Sequence, residues 1–347
     1  MTKLRKIFLI ITIFLIFFLT IAFFIGKGYY NKIFSPINNI SDDIAYIYIP
    51  TNSDFEDVCK ILENSGYIKD IEDFKVVAKL KNYNKKIYSG KYKITKTTSY
   101  NELVNNLRSG RQETVKLTFI SVRTLDILAG KLSVFLETDS IEFSQCFKNQ
   151  EIMDRYGFNP ETFPSFFIPN TYEFYWNTSP EQFLERMNKE YDKFWTDERK
   201  NKAKKIGISQ IQVSILASIV EEETNKNDEK KRIAGVYINR LNKGMLLQAD
   251  PTVKFAVGDV TLTRVLNQHL EIESPYNTYK HTGLPPGPIC VPAISSIDAV
   301  LNYEQHKYIY FCAKPDFSGY HNFAVTLSQH NIYAQQYHNA VKQIRKK

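Results

Sequence analysis

The chain has 347 residues and a formal net charge of +8, and 43% of its residues are hydrophobic. This apolar content excludes a disordered protein, and the length predicts two domains rather than one. Five basic residues lie among the first 32, which contain no acid, so the rest of the chain carries only +3. Such a weak excess argues against a nucleic-acid partner.

An apolar run from residue 7 to residue 25 follows this basic head, and Thr12 and Thr20 are its only polar members. A helix of this length can span a bilayer. A cleavable signal peptide is the alternative. However, the bulky Phe23 and Phe24 lie where small residues would mark a cleavage site, which favours a retained anchor. The positive-inside rule predicts that the tail is cytoplasmic and that residues 33–347 lie on the opposite side.

The next segment, residues 26–43, lacks hydrophobic periodicity and is typical of a juxtamembrane linker. We assign residues 1–32 to the tail and anchor and residues 33–43 to the linker. Residues 44–120 then alternate strand and helix patterns, which predicts a compact α/β module. Its predicted elements are a strand (44–49), a helix capped by Ser53 to Glu56, a helix (71–81), a strand (90–95), a helix from Ser99 through Leu107 and a strand (114–120).

The pattern becomes mainly helical after this module. A helical region from Thr124 to about Gln150 leads into an aromatic stretch, residues 163–176, where two prolines prevent a single regular element. Residues 179–182 form a capping box with proline at the first helical position. This box predicts one long helix that extends toward Lys205.

A second capping box, residues 209–212, predicts a helix that ends in three consecutive glutamates. At about 100° per residue, with Ile219 at 0°, Glu223 lies at about +40°, on the apolar face. Glu222 lies at about −60° and Glu221 at about 200°, so Glu221 points away. Burial favours a protonated carboxylate, which makes Glu223 the candidate general acid. The alternative is a helix-end glutamate paired with a nearby cation.

Polar and aromatic residues follow this helix in clusters that could line a cleft. Arg240 lies close to the apolar face of the next predicted helix, and a turn with polar and apolar residues spans residues 244–252. Residues 275–289 are rich in tyrosine, proline and glycine. Tyrosine faces with Asn, Gln and Asp edges suit a glycan, although structural turns explain the prolines and glycines equally well.

Cysteines and histidines do not indicate a metal site. Cys59, Cys146, Cys290 and Cys312 include no Cys-x-x-Cys pair and have no histidines at ligand spacing. The six histidines include no His-Glu-x-x-His pair, which argues against a zinc protease. Disulfide pairing is left open, because a domain of this size can bury a core without it.

Taken together, the motifs resemble those of the MltG (YceG-like) family of endolytic murein transglycosylases, in the same order along the chain. They are ASIVEEET (217–224), NRL (239–241), Met245 with LQADPT (247–252), YNTY (276–279), GLPPGPI (283–289) and HNF (321–323). The stretch 169–172 resembles the family's Pro-Asp-Thr-Tyr segment with Asn in place of Asp. Around Val291, Pro292 and Ala293 the chain lacks the more usual Asn-Pro-Gly.

The resemblance implies an α+β fold with three parts: an amino-terminal transmembrane helix, a LysM-like module over residues 44–120 and a catalytic domain over residues 121–347. It supports Glu223 as the catalytic residue, because related enzymes follow the catalytic glutamate with a small hydroxyl residue, here Thr224. It implies no cofactor and no metal. The substrate-binding residues that we predict are Gln248, Asp250, Thr252, Tyr276, Asn277, Tyr279 and His321. For His321, a structural hydrogen-bonded role is equally compatible with the sequence.

The implied reaction cleaves MurNAc–GlcNAc β-1,4 bonds within peptidoglycan strands and leaves 1,6-anhydro-MurNAc ends. Peptidoglycan glycan strands, the bacterial cytoplasmic membrane and peptidoglycan synthases are the expected partners, with the catalytic domain on the periplasmic or wall side. Two alternatives are retained. One is a muramidase-type hydrolase, for which Asp250 is the best second carboxylate. The other is a non-enzymatic peptidoglycan-binding scaffold, which would have no need for a desolvated acid.

Overall fold

The computed structural model describes residues 3–37, 40–259, 262 and 264–345. It has the mixed α+β composition that the sequence predicts. The contacts divide the chain into two compact units. The amino-terminal unit contains residues 1–116, 135–137 and 173–178, and the carboxy-terminal unit contains residues 117–134, 138–172 and 179–347.

The amino-terminal unit begins with α1 (Lys3–Phe34), whose apolar side chains are exposed. Within the described residues it is the one helix long and apolar enough to cross a membrane, judged by length and composition. The helix continues past residue 25, so the linker expected from residue 26 is wrong for residues 26–34. The glycines at 26 and 28 are tolerated inside it. Of the remaining linker, residues 38 and 39 lie outside the described part.

A small two-stranded sheet and three helices form the rest of this unit. β1 (Ile44–Ile49) pairs antiparallel with β2 (Gly90–Thr95). Alternate residues of both strands pack into the core beneath α2 (Phe55–Ser65), α3 (Ile71–Leu80) and α4 (Tyr100–Ser109).

The predicted capping box of α2 is displaced by one residue. The Asp54 side chain accepts the backbone N–H of Asp57, and the Asp57 side chain accepts the N–H of Asp54. The cap is therefore Asp54, and not Ser53, because Asp57 stands at the third helical position and completes the reciprocal pair.

The third strand of the predicted module pairs elsewhere. β3 (Thr114–Phe119) forms a separate two-stranded sheet with β4 (Asn170–Tyr175) and does not join β1 and β2. The compact units divide within both strands, after residue 116 and again after residue 172. The expected boundary at residue 120 falls just past the end of β3. Sequence patterns locate a strand by its alternation, which does not specify its partner.

The carboxy-terminal unit begins with five helices: α5 (Leu125–Ser133), α6 (Ser140–Phe147), α7 (Gln150–Arg155), α8 (Pro180–Phe194) and α9 (Asp197–Ile206). The capping box at Ser179 opens α8 as predicted, but one continuous helix toward Lys205 is wrong. Trp195 leaves the helical conformation, and the Thr196 hydroxyl caps a new helix by accepting the N–H of Arg199.

The core of this unit surrounds α10 (Gln210–Glu223), which begins at the predicted capping box of Ser209 and Gln212. Every residue of α10 from 213 to 220 is buried. The elements that complete the unit are α11 (Asn227–Asn242), α12 (Asp250–Val257), α13 (Ile294–Leu301), the antiparallel pair β5 (Tyr310–Ala313) and β6 (His321–Ala324), and α14 (Leu327–Arg345).

All four cysteines lie in the described residues and carry free thiols. Three of them are buried, where they pack as small apolar side chains. Burial raises the pKa of the Cys59 and Cys146 thiols to about 11, which keeps both protonated and unreactive near neutral pH.

Candidate active site

The three glutamates at the end of α10 have three different surroundings. Glu222 is exposed to solvent. Glu221 forms an ion pair with the Lys230 ammonium at 2.9 Å and accepts a hydrogen bond from the Ser296 hydroxyl. Glu223 makes no ion pair within the described residues, and its side chain is partly buried.

This arrangement corrects part of the helical-wheel prediction. Because α10 is buried on every side as far as Val220, it has no polar face for Glu221 to occupy. Glu221 instead enters a polar pocket between α11 and α13, where the Lys230 side chain is only 5% exposed. Glu222, predicted near the apolar face, is the exposed member. The wheel predicted the inward direction of Glu223 but not the surroundings of its two neighbours.

Glu223 is held by one hydrogen bond, which the Tyr237 hydroxyl of α11 donates to its Oε1 atom at 2.5 Å. Burial raises the pKa of Glu223 to about 7, and the negative charge of Asp250 adds to this effect. The Tyr237 hydrogen bond and the positive charge of Lys254 act in the opposite direction. A carboxyl group with this pKa is partly protonated at neutral pH, so it can donate a proton.

Glu223 opens into a cleft of about 250 Å³. The cleft brings together five of the eight predicted site residues, from α10, α12, β6 and the loops that precede α12 and follow Thr278. The full lining is Glu223, Arg240, Leu247, Gln248, Asp250, Tyr279, Phe311, Cys312, Ala313 and His321. The cleft therefore contains two carboxyl groups, an imidazole and a guanidinium.

The second carboxyl group of the cleft, Asp250, is fixed by a tyrosine in the same way as Glu223. The Tyr279 hydroxyl donates to Asp250 Oδ1 at 2.6 Å. Burial and the adjacent Asp250 charge raise the pKa of Tyr279, so the phenol keeps its proton. Just before Asp250, Gln248 has a φ of 50°, and its N–H donates to the Thr278 carbonyl at 3.1 Å. This left-handed turn brings Gln248 and Asp250 to the same cleft.

Two predicted substrate-binding residues, Thr252 and Asn277, lie behind the cleft and are fully buried. The Thr252 hydroxyl donates to the Ala249 carbonyl at 2.7 Å, and the Asn277 amide donates to two backbone carbonyls of the preceding loop at 2.9 Å. A direct glycan contact is therefore wrong for both in this conformation. Their side chains instead satisfy backbone groups of the two loops that carry Asp250 and Tyr279.

Tyr276, a third predicted contact, does not line the cleft. Its ring packs on Phe255 of α12, with the ring centroids 4.7 Å apart. Burial raises the pKa of Tyr276 to about 12. Tyr276 therefore packs against α12 and does not line the cleft that contains Glu223.

His321 lines the cleft and is also held by a buried carboxylate. The sequence was equally compatible with a substrate contact and with a structural role for this residue. Its Nδ1 atom lies 2.7 Å from Glu229 Oε2, and its backbone N–H donates to Glu229 Oε1 at 2.9 Å. Phe311 of β5 packs edge-on against the imidazole, with a centroid distance of 5.3 Å. The imidazole therefore has a fixed orientation in the cleft wall.

Sequence reasoning missed Tyr237, Glu229 and Phe311 as parts of the site. Tyr237 and Glu229 lie on α11, where the apolar pattern indicates only packing. Arg240, which was noted beside that face, donates to the carbonyls of Ile309 and Leu247 at 2.6 Å each. It therefore joins β5 to the loop before α12 and forms part of the cleft wall.

No group of three or more His, Cys, Asp or Glu side chains close enough to hold a metal ion occurs in the described part of the chain.

Comparisons with known proteins identify a family for this chain. The model of the YceG-like family matches residues 47–336. A protein named endolytic murein transglycosylase from Bacillus subtilis (strain 168) is 32% identical over 332 residues, which cover 91% of this chain and 90% of that protein. A protein of the same name from Streptococcus pneumoniae serotype 2 is 29% identical over 84% of this chain, which spans 58% of the pneumococcal protein.

A solved structure has a similar fold. A crystal structure described as a yceG-like protein from Listeria monocytogenes covers 84% of this chain and 99% of its own chain, with 29% sequence identity and a TM-score of 0.55. The likeness therefore extends over most of both proteins.

Proposed function

This chain belongs to the YceG-like family, and we propose that it is an endolytic peptidoglycan lytic transglycosylase. It cleaves MurNAc–GlcNAc β-1,4 bonds within glycan strands and leaves 1,6-anhydro-MurNAc ends. The observation that carries the proposal is Glu223, a partly buried carboxyl group without a cation partner in the described residues, whose pKa is raised to about 7 inside a cleft. The names of the relatives from Bacillus and Streptococcus support the reaction class.

In the first half of the reaction, Glu223 donates its proton to the glycosidic oxygen. The bond between C1 of MurNAc and this oxygen breaks, and positive charge develops on the sugar ring. Tyr237 supports this step because its hydrogen bond to Oε1 fixes the carboxyl group and stabilises the carboxylate that remains. Asp250, held by Tyr279 in the same cleft, is placed to stabilise the developing positive charge.

In the second half, the 6-hydroxyl of the same MurNAc closes on C1 and water is not consumed. The proton of that hydroxyl returns to Glu223, so the acid is regenerated in each turnover. One carboxylate suffices for this cycle, whereas a glycoside hydrolase ordinarily needs two. The cleft residues Gln248, Asp250, Tyr279 and His321 hold the glycan in this proposal, and Tyr276 contributes from outside the cleft.

Hydrolysis is the second candidate, and the presence of Asp250 in the cleft of Glu223 is the observation that favours it. In that reaction Asp250 would act as the nucleophile or as the base for water. The Tyr279 hydroxyl already occupies one Asp250 oxygen at 2.6 Å, which suits charge stabilisation better than nucleophilic attack.

Membrane anchoring by α1 is the second part of the proposal. The helix is 32 residues long, and its apolar side chains are exposed. In this arrangement the amino terminus is cytoplasmic and the catalytic domain lies on the periplasmic or wall side. Residues 44–120 act as a LysM-like module that aids substrate engagement, and the two-stranded sheet with its three helices supports that role.

The decisive experiment digests purified murein with the full chain in detergent and weighs the products by mass spectrometry. Anhydro-muropeptides, each one water lighter than the hydrolytic product, are expected from the wild type and not from Glu223→Gln. Products with reducing ends would contradict lytic transglycosylation and support hydrolysis instead. If a folded wild-type protein leaves murein unchanged, the result would contradict an enzymatic function and support the peptidoglycan-binding scaffold.

Orientation is tested separately by adding protease to right-side-out cells. The proposal expects residues 33–347 to be degraded. Protection of these residues, or a mature protein that begins near residue 26, would contradict the anchor or its orientation.

A further inference from the structure

The pair formed by Glu229 and His321 is a feature of the cleft that the one-carboxylate mechanism does not use. Glu229 lies on α11 and His321 on β6, and the two residues make two hydrogen bonds at 2.7 and 2.9 Å. The shorter contact holds the imidazole by its Nδ1 atom, and the longer one is donated by the backbone N–H of His321. His321 also lines the cleft into which Glu223 opens. The geometry therefore combines an oriented imidazole with the proton donor in one site.

Burial makes this pair chemically significant. The Glu229 side chain is 4% exposed and the His321 side chain is 13% exposed. Within the described residues, His321 is the one ion-pair partner of Glu229. A buried carboxylate strongly favours a positive partner, so it stabilises an imidazolium that forms beside it. An imidazole that accepts a proton is the corresponding functional element of a general base.

We propose, on the basis of the function proposed above, that His321 is the first acceptor of the MurNAc 6-hydroxyl proton and that Glu229 is its positioning residue. Glu229 accepts the Nδ1 proton and leaves Nε2 with a free lone pair. As the C1 bond to the leaving oxygen breaks, O6 forms a new bond to C1 and its proton moves to Nε2. The resulting imidazolium then returns one proton to the Glu223 carboxylate through the cleft, which restores both groups.

With two groups, proton donation and proton acceptance can overlap in time, whereas a single carboxylate must perform them one after the other. Glu223 is held on Oε1 by Tyr237 and must finish donating before it can accept. With His321 in the cleft wall, bond formation at C1 does not have to wait for the Glu223 carboxylate to become available. In this proposal, Glu223 carries the proton that is donated at the start of the reaction, and Nε2 of His321 is free to accept the proton of the 6-hydroxyl.

Other charged and titratable groups in the region of His321 also contribute to the pH dependence of the rate. They come from α10, α11, α12, the loop after Thr278, β5 and the turn before β6. They are Glu223, Lys226, Asp228, Glu229, Arg232, Tyr237, Arg240, Asp250, Tyr279, Cys312, Lys314 and Tyr320. Of these, Glu229 alone makes an ion pair with His321 in the described part of the chain.

The test measures the initial rate of anhydro-muropeptide release against pH for the full chain and for His321→Gln. The proposal expects the wild-type rate to fall on the alkaline side, where Glu223 is ionised. His321→Gln should lower kcat by about 10²-fold and leave this alkaline fall in place. Added imidazole should restore part of the turnover of His321→Ala.

Two neighbouring acids of α11 supply matched variants. Glu229→Gln removes the charge that stabilises the imidazolium and should lower kcat about tenfold or more. Asp228→Asn changes an exposed residue, whose contact is a 3.4 Å hydrogen bond from the Tyr320 hydroxyl, and should leave kcat unchanged. Thermal unfolding of each variant separates a folding defect from a chemical one, and Glu229→Gln keeps the test valid if His321 variants unfold.

The results that overturn the inference are distinct. If folded His321→Gln keeps kcat and raises only KM, His321 is a substrate contact. If imidazole fails to rescue a folded His321→Ala, His321 does not accept the proton. Each of these results leaves the proposed function standing, provided that the wild type still releases anhydro ends. Absence of those ends from the wild type contradicts the proposed function itself.

Discussion

Two regions at the end of α10 bury carboxylates of the same residue type, two positions apart, with opposite consequences. In the first region Glu221 meets the Lys230 ammonium at 2.9 Å and the Ser296 hydroxyl, between α11 and α13. In the second, Glu223 accepts a hydrogen bond from the Tyr237 hydroxyl at 2.5 Å, has no cation partner among the described residues and faces the cleft. We call them the ion-pair region and the acid region.

Burial alone therefore does not turn a carboxyl group into a proton donor. A buried carboxylate with a cation at hydrogen-bond distance remains ionised, because the attraction offsets the lost hydration. A buried carboxylate with only a neutral hydroxyl partner gains from protonation, and the pKa of Glu223 accordingly rises to about 7. The partner on α11, Lys230 or Tyr237, therefore separates a stabilising contact from the proposed proton donor.

The largest expected effect comes from removing the acid. Glu223→Gln keeps the size of the side chain but cannot donate a proton, so anhydro-muropeptide release should fall by about 10²–10⁴-fold. Glu221→Gln is the matched variant two residues away and should affect turnover much less, because Glu221 holds α11 and α13 and does not line the cleft. The measurement is the initial rate of each purified variant, with thermal unfolding in parallel.

The comparison fails if Glu223→Gln keeps near-normal turnover while Glu221→Gln is folded and inactive. In that case the ion-pair region would contain the acid, and the raised pKa of Glu223 would have no catalytic meaning.

The next effect is on stability. Lys230→Met leaves the Glu221 carboxylate buried without its cation, which typically costs about 3–5 kcal/mol of the free energy of unfolding. Lys231→Met, at the exposed neighbouring position, should change that free energy by less than about 0.5 kcal/mol. Urea denaturation at neutral pH measures both. Equal stability of the two variants would mean that the ion-pair region contributes nothing to the fold.

Much of the local structure in these regions follows from the sequence. The capping box at Ser209 and Gln212 sets the start of α10, and the apolar run after it predicts a buried helix. The inward direction of Glu223 also follows from helical period. These features depend on residues close together in the chain, which is where periodicity and capping are informative.

Contacts between distant elements were not predictable in the same way. Lys230 and Tyr237 belong to α11, and the sequence gives no register between α11 and α10 that would assign either to a particular glutamate. For the same reason the pairing of β3 with β4 and the buried positions of Thr252 and Asn277 were missed. A motif identifies residues that are close to a site but does not separate those that line it from those that support its loops.

A third prediction concerns the pH dependence of stability in the acid region. Because the folded-state pKa of Glu223 is raised from 4.5 to about 7, protonated Glu223 stabilises the folded state below about pH 4.5. That contribution is lost as the pH rises through about 7, where the buried carboxyl group must ionise. Between these two pH values, the free energy of unfolding of Glu223→Gln should therefore rise by up to about 3 kcal/mol relative to that of the wild type. At higher pH the difference should stay constant.

Denaturation of both proteins at several pH values checks this prediction, and Glu221→Gln provides the reference from the ion-pair region. A stability difference between Glu223→Gln and the wild type that stays constant from pH 4.5 to pH 8 would show that the Glu223 pKa is not raised in the folded protein.

The smallest expected effect tests the hydroxyl that distinguishes the acid region. Tyr237→Phe removes the hydrogen bond that lowers the Glu223 pKa, so that pKa should rise and the alkaline side of the activity profile should move to higher pH. The rate at the optimum should fall by about tenfold, the usual value of one hydrogen bond, because the carboxyl group loses its fixed direction. Tyr100→Phe removes a tyrosine hydroxyl that donates to the Asp70 carbonyl at 2.7 Å in the amino-terminal unit, and it should leave the profile unchanged. A shift toward lower pH in Tyr237→Phe would mean that the hydroxyl stabilises the protonated form of Glu223. In that case the Tyr237 hydrogen bond would not explain the difference between Glu223 and Glu221, the partner of Lys230, and only burial would remain as its cause.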